Sequence, residues 1–153
     1  MPKASPRMRK DAKTLHGAMV DLFTLMSQPQ RDDTLLREAG VALDRALFPL
    51  LVGIERYGPI GVVDLADRAG RDHTTVSRQV TKLESLGLIE RQPSEADRRI
   101  NEAVITSKGR TVTDALDAAR WRLAAPILAA WSEEEFADLV RLLRRFVDDL
   151  KAL

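Results

Sequence analysis

Two helical patterns separated by a turn at one glycine constrain this chain more than any other feature. "VVDLADRAG" (62–70) reads as a short helix closed by Gly70, and "HTTVSRQVTKLESLGLI" (73–89) as a longer one. Asp72 stands where its carboxylate can accept the free amides of the second helix's first turn. Within the longer segment Val76, Val80, Leu83 and Leu86 recur at helical spacing, which commits one face to a core. The opposite face carries Thr74, Thr75, Arg78, Gln79 and Lys82, with no acidic residue between His73 and Leu83. Solvated helix faces usually mix both signs of charge, so this face is turned towards a particular neighbour.

The segment beyond the longer helix narrows the choice of neighbour. "LIERQ" (88–92) and "EAVIT" (102–106) alternate in polarity, and "PSEADRRIN" (93–101) between them is polar and turn-forming. Two short strands joined by a long charged loop predict a β-hairpin, with Arg98 and Arg99 adjacent at its tip. Short helix, turn, longer helix and hairpin together predict a winged helix-turn-helix. In such a unit the first helix braces the second, whose polar N-terminal face enters a DNA major groove. A polyanionic partner accounts for the missing acidic residues. Thr74, Thr75, Ser77, Arg78 and Gln79 are then the candidates for base edges, with His73 on the same DNA surface. Lys82 and Arg71 are the candidates for phosphate contacts.

The remaining chain is helical too, making the fold mainly α. "DAKTLHGAMVDLFTLMSQ" (11–28) places Leu15, Met19, Leu22, Phe23 and Met26 on one stripe, which "QPQRDD" breaks. Residues 34–57 form an apolar helical region interrupted by Gly40 and by Pro49, where a kink or a helix start is expected. Beyond the hairpin Thr106 can cap a helix with the stripe Val112, Leu116, Ala119, Leu123, Ile127 and Leu128, and Pro126 should kink it. Ser132 and Glu135 form a capping box, behind which Phe136, Leu139, Val140, Leu143, Phe146, Val147 and Leu150 make a broad apolar face. A small winged domain cannot cover all these stripes alone, whereas pairing them across a two-fold axis buries them. The expected organisation is a winged domain over residues 41–110 and a helical dimerisation region made of 11–29 and 111–153.

Composition removes other function classes. The 153 residues contain no cysteine, which excludes disulfides, thiolate metal sites and thiol redox sensing. With only His16 and His73 as further metal-binding imidazoles, neither a metal site nor a cofactor is expected. No convincing Ser/His/Asp arrangement and no glycine-rich phosphate loop is present, so an enzyme is not expected. No apolar stretch approaches the roughly 18 residues that span a bilayer, and the basic "MPKASPRMRK" leads into no apolar secretory core, which points to the cytoplasm. Residues 71–110 hold 8 basic and 6 acidic side chains, so placement of particular residues, not bulk charge, carries the DNA assignment. Rival readings are an architectural or metal-dependent DNA-binding protein with the same fold, or a winged domain used for protein contacts.

"LADRAGRDHTTVSRQVTKLESLGLIER" followed by "DRRINEAVITSKG" also resembles the MarR family of bacterial transcription regulators. The family's wing signature, Asp-x-Arg and then Leu-Thr-x-x-Gly, is filled by Asp97, Arg99, Ile105, Thr106 and Gly109, with Ile in place of Leu. The resemblance is strongest over residues 60–110. It implies a triangular homodimer, most simply a repressor, binding a pseudo-palindromic operator in double-stranded DNA. It puts Arg99 at the wing-tip position that enters a minor groove, with Arg98 beside it and Asp97 in a structural role. It also implies a pocket between dimer helices and winged domain that takes a small aromatic or phenolic ligand. In this chain His16, Arg120 and Trp121 are the polar and aromatic candidates for that pocket, although packing or ion pairing accounts for each equally well. The first helix carries no distinctive ligand residue, which leaves the effector open.

Overall fold

The structure, a computed structural model, describes residues 5–153. Among these residues seven helices and three strands follow one another as α1 (Pro6–Met26), α2 (Pro29–Ala39), α3 (Phe48–Tyr57), β1 (Ile60–Gly61), α4 (Val62–Ala69), α5 (His73–Ser85), β2 (Ile89–Pro93), β3 (Asn101–Ile105), α6 (Ser107–Leu128) and α7 (Glu133–Lys151). This is a mainly helical winged helix-turn-helix, as the periodicities require.

The main core lies where α3, α4 and α5 meet the sheet. Leu51, Ile54, Leu65, Val76, Val80, Leu83 and Ile89 are buried there, so each helix of the helix-turn-helix contributes its apolar stripe. Gly70 takes the left-handed conformation (φ 62°) that ends α4, and the chain turns at once into α5. A smaller cluster joins Leu36 of α2, Phe48 of α3 and Leu116 of α6. Thr106 fixes the start of α6: its Oγ1 accepts from the Gly109 amide at 3.1 Å and donates to the Gly87 carbonyl at 2.7 Å. Gly109 packs so closely that a Cβ there would run into the Leu88 carbonyl oxygen and the Ile105 side chain. Of the wing signature, then, Thr106 and Gly109 serve the join between wing and α6.

Three expectations need correction. The wing is not a lone hairpin, because β1 adds a third strand in the order β1-β3-β2, pairing Ile60 with Ala103 and Gly61 with Glu102. A two-residue strand has no periodicity to read, and "GPIG" carries only its turn signal. Residues 29–39 are not a mere break: α2 starts at Pro29, in the first turn where a missing amide costs nothing, and Leu36 docks it on α6. Nor does the whole α6 stripe await a partner, since Leu116 and Ala119 are already buried in the protomer while Ile127 stays 68% exposed. Pro49 occupies the first turn of α3, so it marks a helix start and not a kink.

α1 and α7 are different in kind. Neither contains a buried residue, although Phe23 is 74% exposed on α1 and Leu143 48% on α7. The expected capping box is present at the head of α7, with Glu135 N donating to Ser132 Oγ at 3.0 Å and Ser132 N to Glu135 Oε2 at 2.8 Å.

Candidate nucleic-acid interface

α5 is anchored at its start and along its inner face. The Asp72 carboxylate accepts from Thr75 N at 2.9 Å and from Thr75 Oγ1 at 3.2 Å, and these bonds hold its pKa below the usual carboxylate value. Val76, Val80 and Leu83 are then buried to within 1% of full enclosure. At 100° per residue this turns Thr74, Arg78 and Lys82 outward, and all three are exposed. The side chains of Arg78 and Lys82 make no hydrogen bond or ion pair among the described residues, so two free cations project from one face.

The other candidates on this helix sit on its flanks. Thr75 is exposed, but its hydroxyl is engaged in the cap. His73 is exposed with Nε2 2.9 Å from Asp67 Oδ1, a contact that ties the head of α5 back to α4. Ser77 is half-buried, and its carbonyl accepts from Thr81 Oγ1 at 3.0 Å. Gln79 is half-buried on the opposite flank, where its Oε1 accepts from Arg71 Nη1 at 3.3 Å. The same Arg71 nitrogen donates to the Ala46 carbonyl at 2.7 Å. The structure therefore brings Arg71 into contact with a proposed base reader, not onto the free outer face.

The wing loop is held by its own polar groups. Asp97 Oδ1 accepts from the Arg99 amide at 3.1 Å and from Arg99 Nε at 3.0 Å, and Oδ2 accepts from Arg99 Nη2 at 2.9 Å. This fork lowers the Asp97 pKa and raises that of Arg99, which leaves a permanently charged guanidinium on a side chain 90% exposed. Arg98 is exposed beside it. Closure of the loop is completed by Ser94 N donating to the Ile100 carbonyl at 2.8 Å.

Two residues of this surface escape a reading of the sequence. Ser94 is buried, and its Oγ accepts from the Ala96 amide at 3.2 Å. Its signal was present, since a serine directly after a proline at a strand end favours such a turn. Arg91 of β2 donates from Nε to Glu84 Oε2 at 2.6 Å and from Nη2 to Thr81 Oγ1 at 2.8 Å, bolting the wing to α5. Nothing local announces that contact, because its partners lie seven and ten residues away.

The three ligand candidates do not come together. An open cavity of about 580 Å³ lies among α2, α3, α6 and the end of α1, lined by Met26, Leu35, Phe48, Arg120, Leu123 and Ile127 among others. Arg120 belongs to its wall and also pairs with Asp117; His16 and Trp121 are not in the lining. Trp121 is 61% exposed, and His16 is exposed on α1. Among the described residues no group of three His, Cys, Asp or Glu side chains could hold a metal ion. Among them, too, no helix is long and apolar enough to cross a membrane.

Such a surface can place a helix in a major groove while a basic loop reaches a neighbouring groove. Comparisons with known proteins agree. Residues 43–100 match the sequence model of the MarR family. The HTH-type transcriptional regulator YxaD of Bacillus subtilis (strain 168) is 32% identical over 110 residues, covering 69% of this chain and 77% of that protein. In structure the chain resembles a MarR family protein from Bacillus stearothermophilus, with a TM-score of 0.68 at 19% identity, over 97% of this chain and 99% of the other. It also resembles the transcriptional regulator BldR from Sulfolobus solfataricus, with a TM-score of 0.65 at 24% identity, over 94% and 97%.

Proposed function

The chain belongs to the MarR family of transcriptional regulators, and on that premise we propose that it is a homodimeric repressor of a pseudo-palindromic operator, released by a small ligand. One observation carries the DNA half of this reading. The outer face of α5 presents Thr74, Arg78 and Lys82 in a run with no acidic residue between His73 and Leu83, beside a wing whose exposed Arg99 is paired with Asp97. In the proposed division of labour Thr74, Thr75, Ser77, Arg78 and Gln79 read bases, while His73 and Lys82 secure the helix. Arg99, with Arg98 beside it, enters the minor groove, where negative potential is enhanced.

Dimerisation is supported by α1 and α7, which bury no residue in the protomer and leave most of their large apolar side chains exposed. Residues 11–29 and the chain from 111 onward form the pairing region of this proposal, and residues 41–110 the winged unit. The protein acts in the cytoplasm, where the operator is, and has no catalytic role. Release is assigned to the cavity walled by Arg120 and Phe48, which suits a small aromatic or phenolic anion. Its wall combines the end of α1 with α2 and α6, so a ligand there favours one arrangement of dimer arm and winged domain over another.

A salt titration tests the reading. Wild-type protein should bind duplex DNA with an affinity that falls steeply as salt rises, and Arg99→Ala should lower the slope by about one unit. Affinity independent of salt would remove DNA binding from this surface.

A further inference from the structure

Arg71 precedes the cap of α5, and its sequence position suggests one more phosphate contact. Its geometry assigns a different task. The Nη1 group is committed twice, to the Ala46 carbonyl at 2.7 Å and to Gln79 Oε1 at 3.3 Å, and the side chain is half-buried. We propose that Arg71 is a positioning residue for DNA reading, which sets the orientation of the Gln79 amide and ties α5 to the turn before α3. This deepens the regulator reading above and rests on it.

The chemistry leaves little choice of orientation. A guanidinium has only donors, so the Gln79 end that meets Arg71 must be the carbonyl oxygen. The amide NH₂ is then the free end, and it can serve only as a donor. Gln79 therefore suits an acceptor on a base edge, such as a purine N7 or a thymine O4. An unrestrained glutamine would present either end and lose discrimination.

The other end of the strut is also fixed. Asp44 Oδ1 accepts from the Ala46 amide at 2.7 Å, which shapes the turn that presents the Ala46 carbonyl. Arg45 on the same turn lies 3.5 Å from Asp33 of α2. α2 in turn packs on α6 through Leu36 and Leu116, and Arg122 of α6 donates to Glu38 Oε1 at 2.7 Å. Arg71 thus fastens the reading helix to elements that lead towards the dimer arm.

The test compares wild type, Arg71→Ala, Gln79→Ala and the double variant on a duplex enriched from random DNA by the wild type, and on an unrelated duplex, over a salt series. Arg71→Ala should reduce the preference for the enriched duplex by about tenfold while leaving the salt slope unchanged. Gln79→Ala should do the same, and the double variant should be no worse than either. A slope lowered by about one unit with preference intact would make Arg71 a phosphate contact and overturn the proposal. Additive losses in the double variant would overturn it too. A DNA-free arm separates this from failure of the regulator reading. The assigned side-chain amide resonances of Gln79 in the free protein should shift on Arg71→Ala, and unmoved resonances would overturn the strut whether or not DNA binds.

Discussion

Single residues divide into those proposed to read DNA and those that hold the fold. Arg78 is free and exposed on the outer face of α5, so Arg78→Ala should cost about tenfold in affinity for the enriched sequence and relax preference at the position it faces. Binding curves against single-position variants of that sequence check this; an equal loss on every sequence would make Arg78 a phosphate contact. Gly109 holds: a methyl group there meets backbone, which cannot move aside cheaply. Gly109→Ala should destabilise by about 1–3 kcal/mol, read in chemical denaturation, with the wing end of α6 displaced. Asp72 gives a pH signature. Its folded pKa lies below the ordinary 3.8, so its stabilising contribution is full above that value and is lost as pH falls through the folded value. Asp72→Ala should therefore lower Tm at neutral pH, and the gap from wild type should close under acid. A gap that persists well below 3.8 would show that the charge is not what caps α5.

Elements succeed or fail to show themselves in sequence according to how local their causes are. The three caps that the sequence singles out, Asp72, Thr106 and Ser132, close within three residues, and the helices they start were legible with them. The turn at Gly70 was legible because a left-handed helix end favours glycine. β1 was not, since two residues carry no pattern and its pairing partner in β3 is distant in the chain. The candidate site follows the same rule. Its outward cations could be placed from helical spacing alone, whereas the partners of Arg71 and Arg91 are tertiary and change what those side chains do. Arg91 supplies a prediction at this scale. Arg91→Ala should loosen the wing from α5 and cost about 1 kcal/mol of stability, because the pair is partly exposed and screened. Hydrogen exchange in β2 should rise with it, and unchanged exchange would mean that β-pairing alone positions the wing.

The whole molecule carries the proposed reading surface on a scaffold whose outer helices leave apolar side chains exposed. The winged core is closed, but α1, the far half of α6 and α7 leave Phe23, Ile127, Val140 and Leu143 facing water. Sequence periodicity showed that these stripes exist; only the fold shows that Leu116 and Ala119 are satisfied within the protomer and the others are not. This separates two effects of mutation. Leu143→Asp should leave the winged core folded, yet place an unpaired charge in the proposed interface at a cost of several kcal/mol. Sedimentation should then show a folded monomer with little operator binding; a dimer of unchanged affinity would move the interface elsewhere. The most direct measurement is selection of bound sequences from random duplex DNA by the purified wild-type protein. Two recognition helices related by a two-fold axis should enrich an inverted repeat whose half-sites are centred about one helical turn, roughly 10–10.5 base pairs, apart. Enrichment of a single half-site without symmetry, or of no sequence at all, would contradict a dimer that reads DNA through α5.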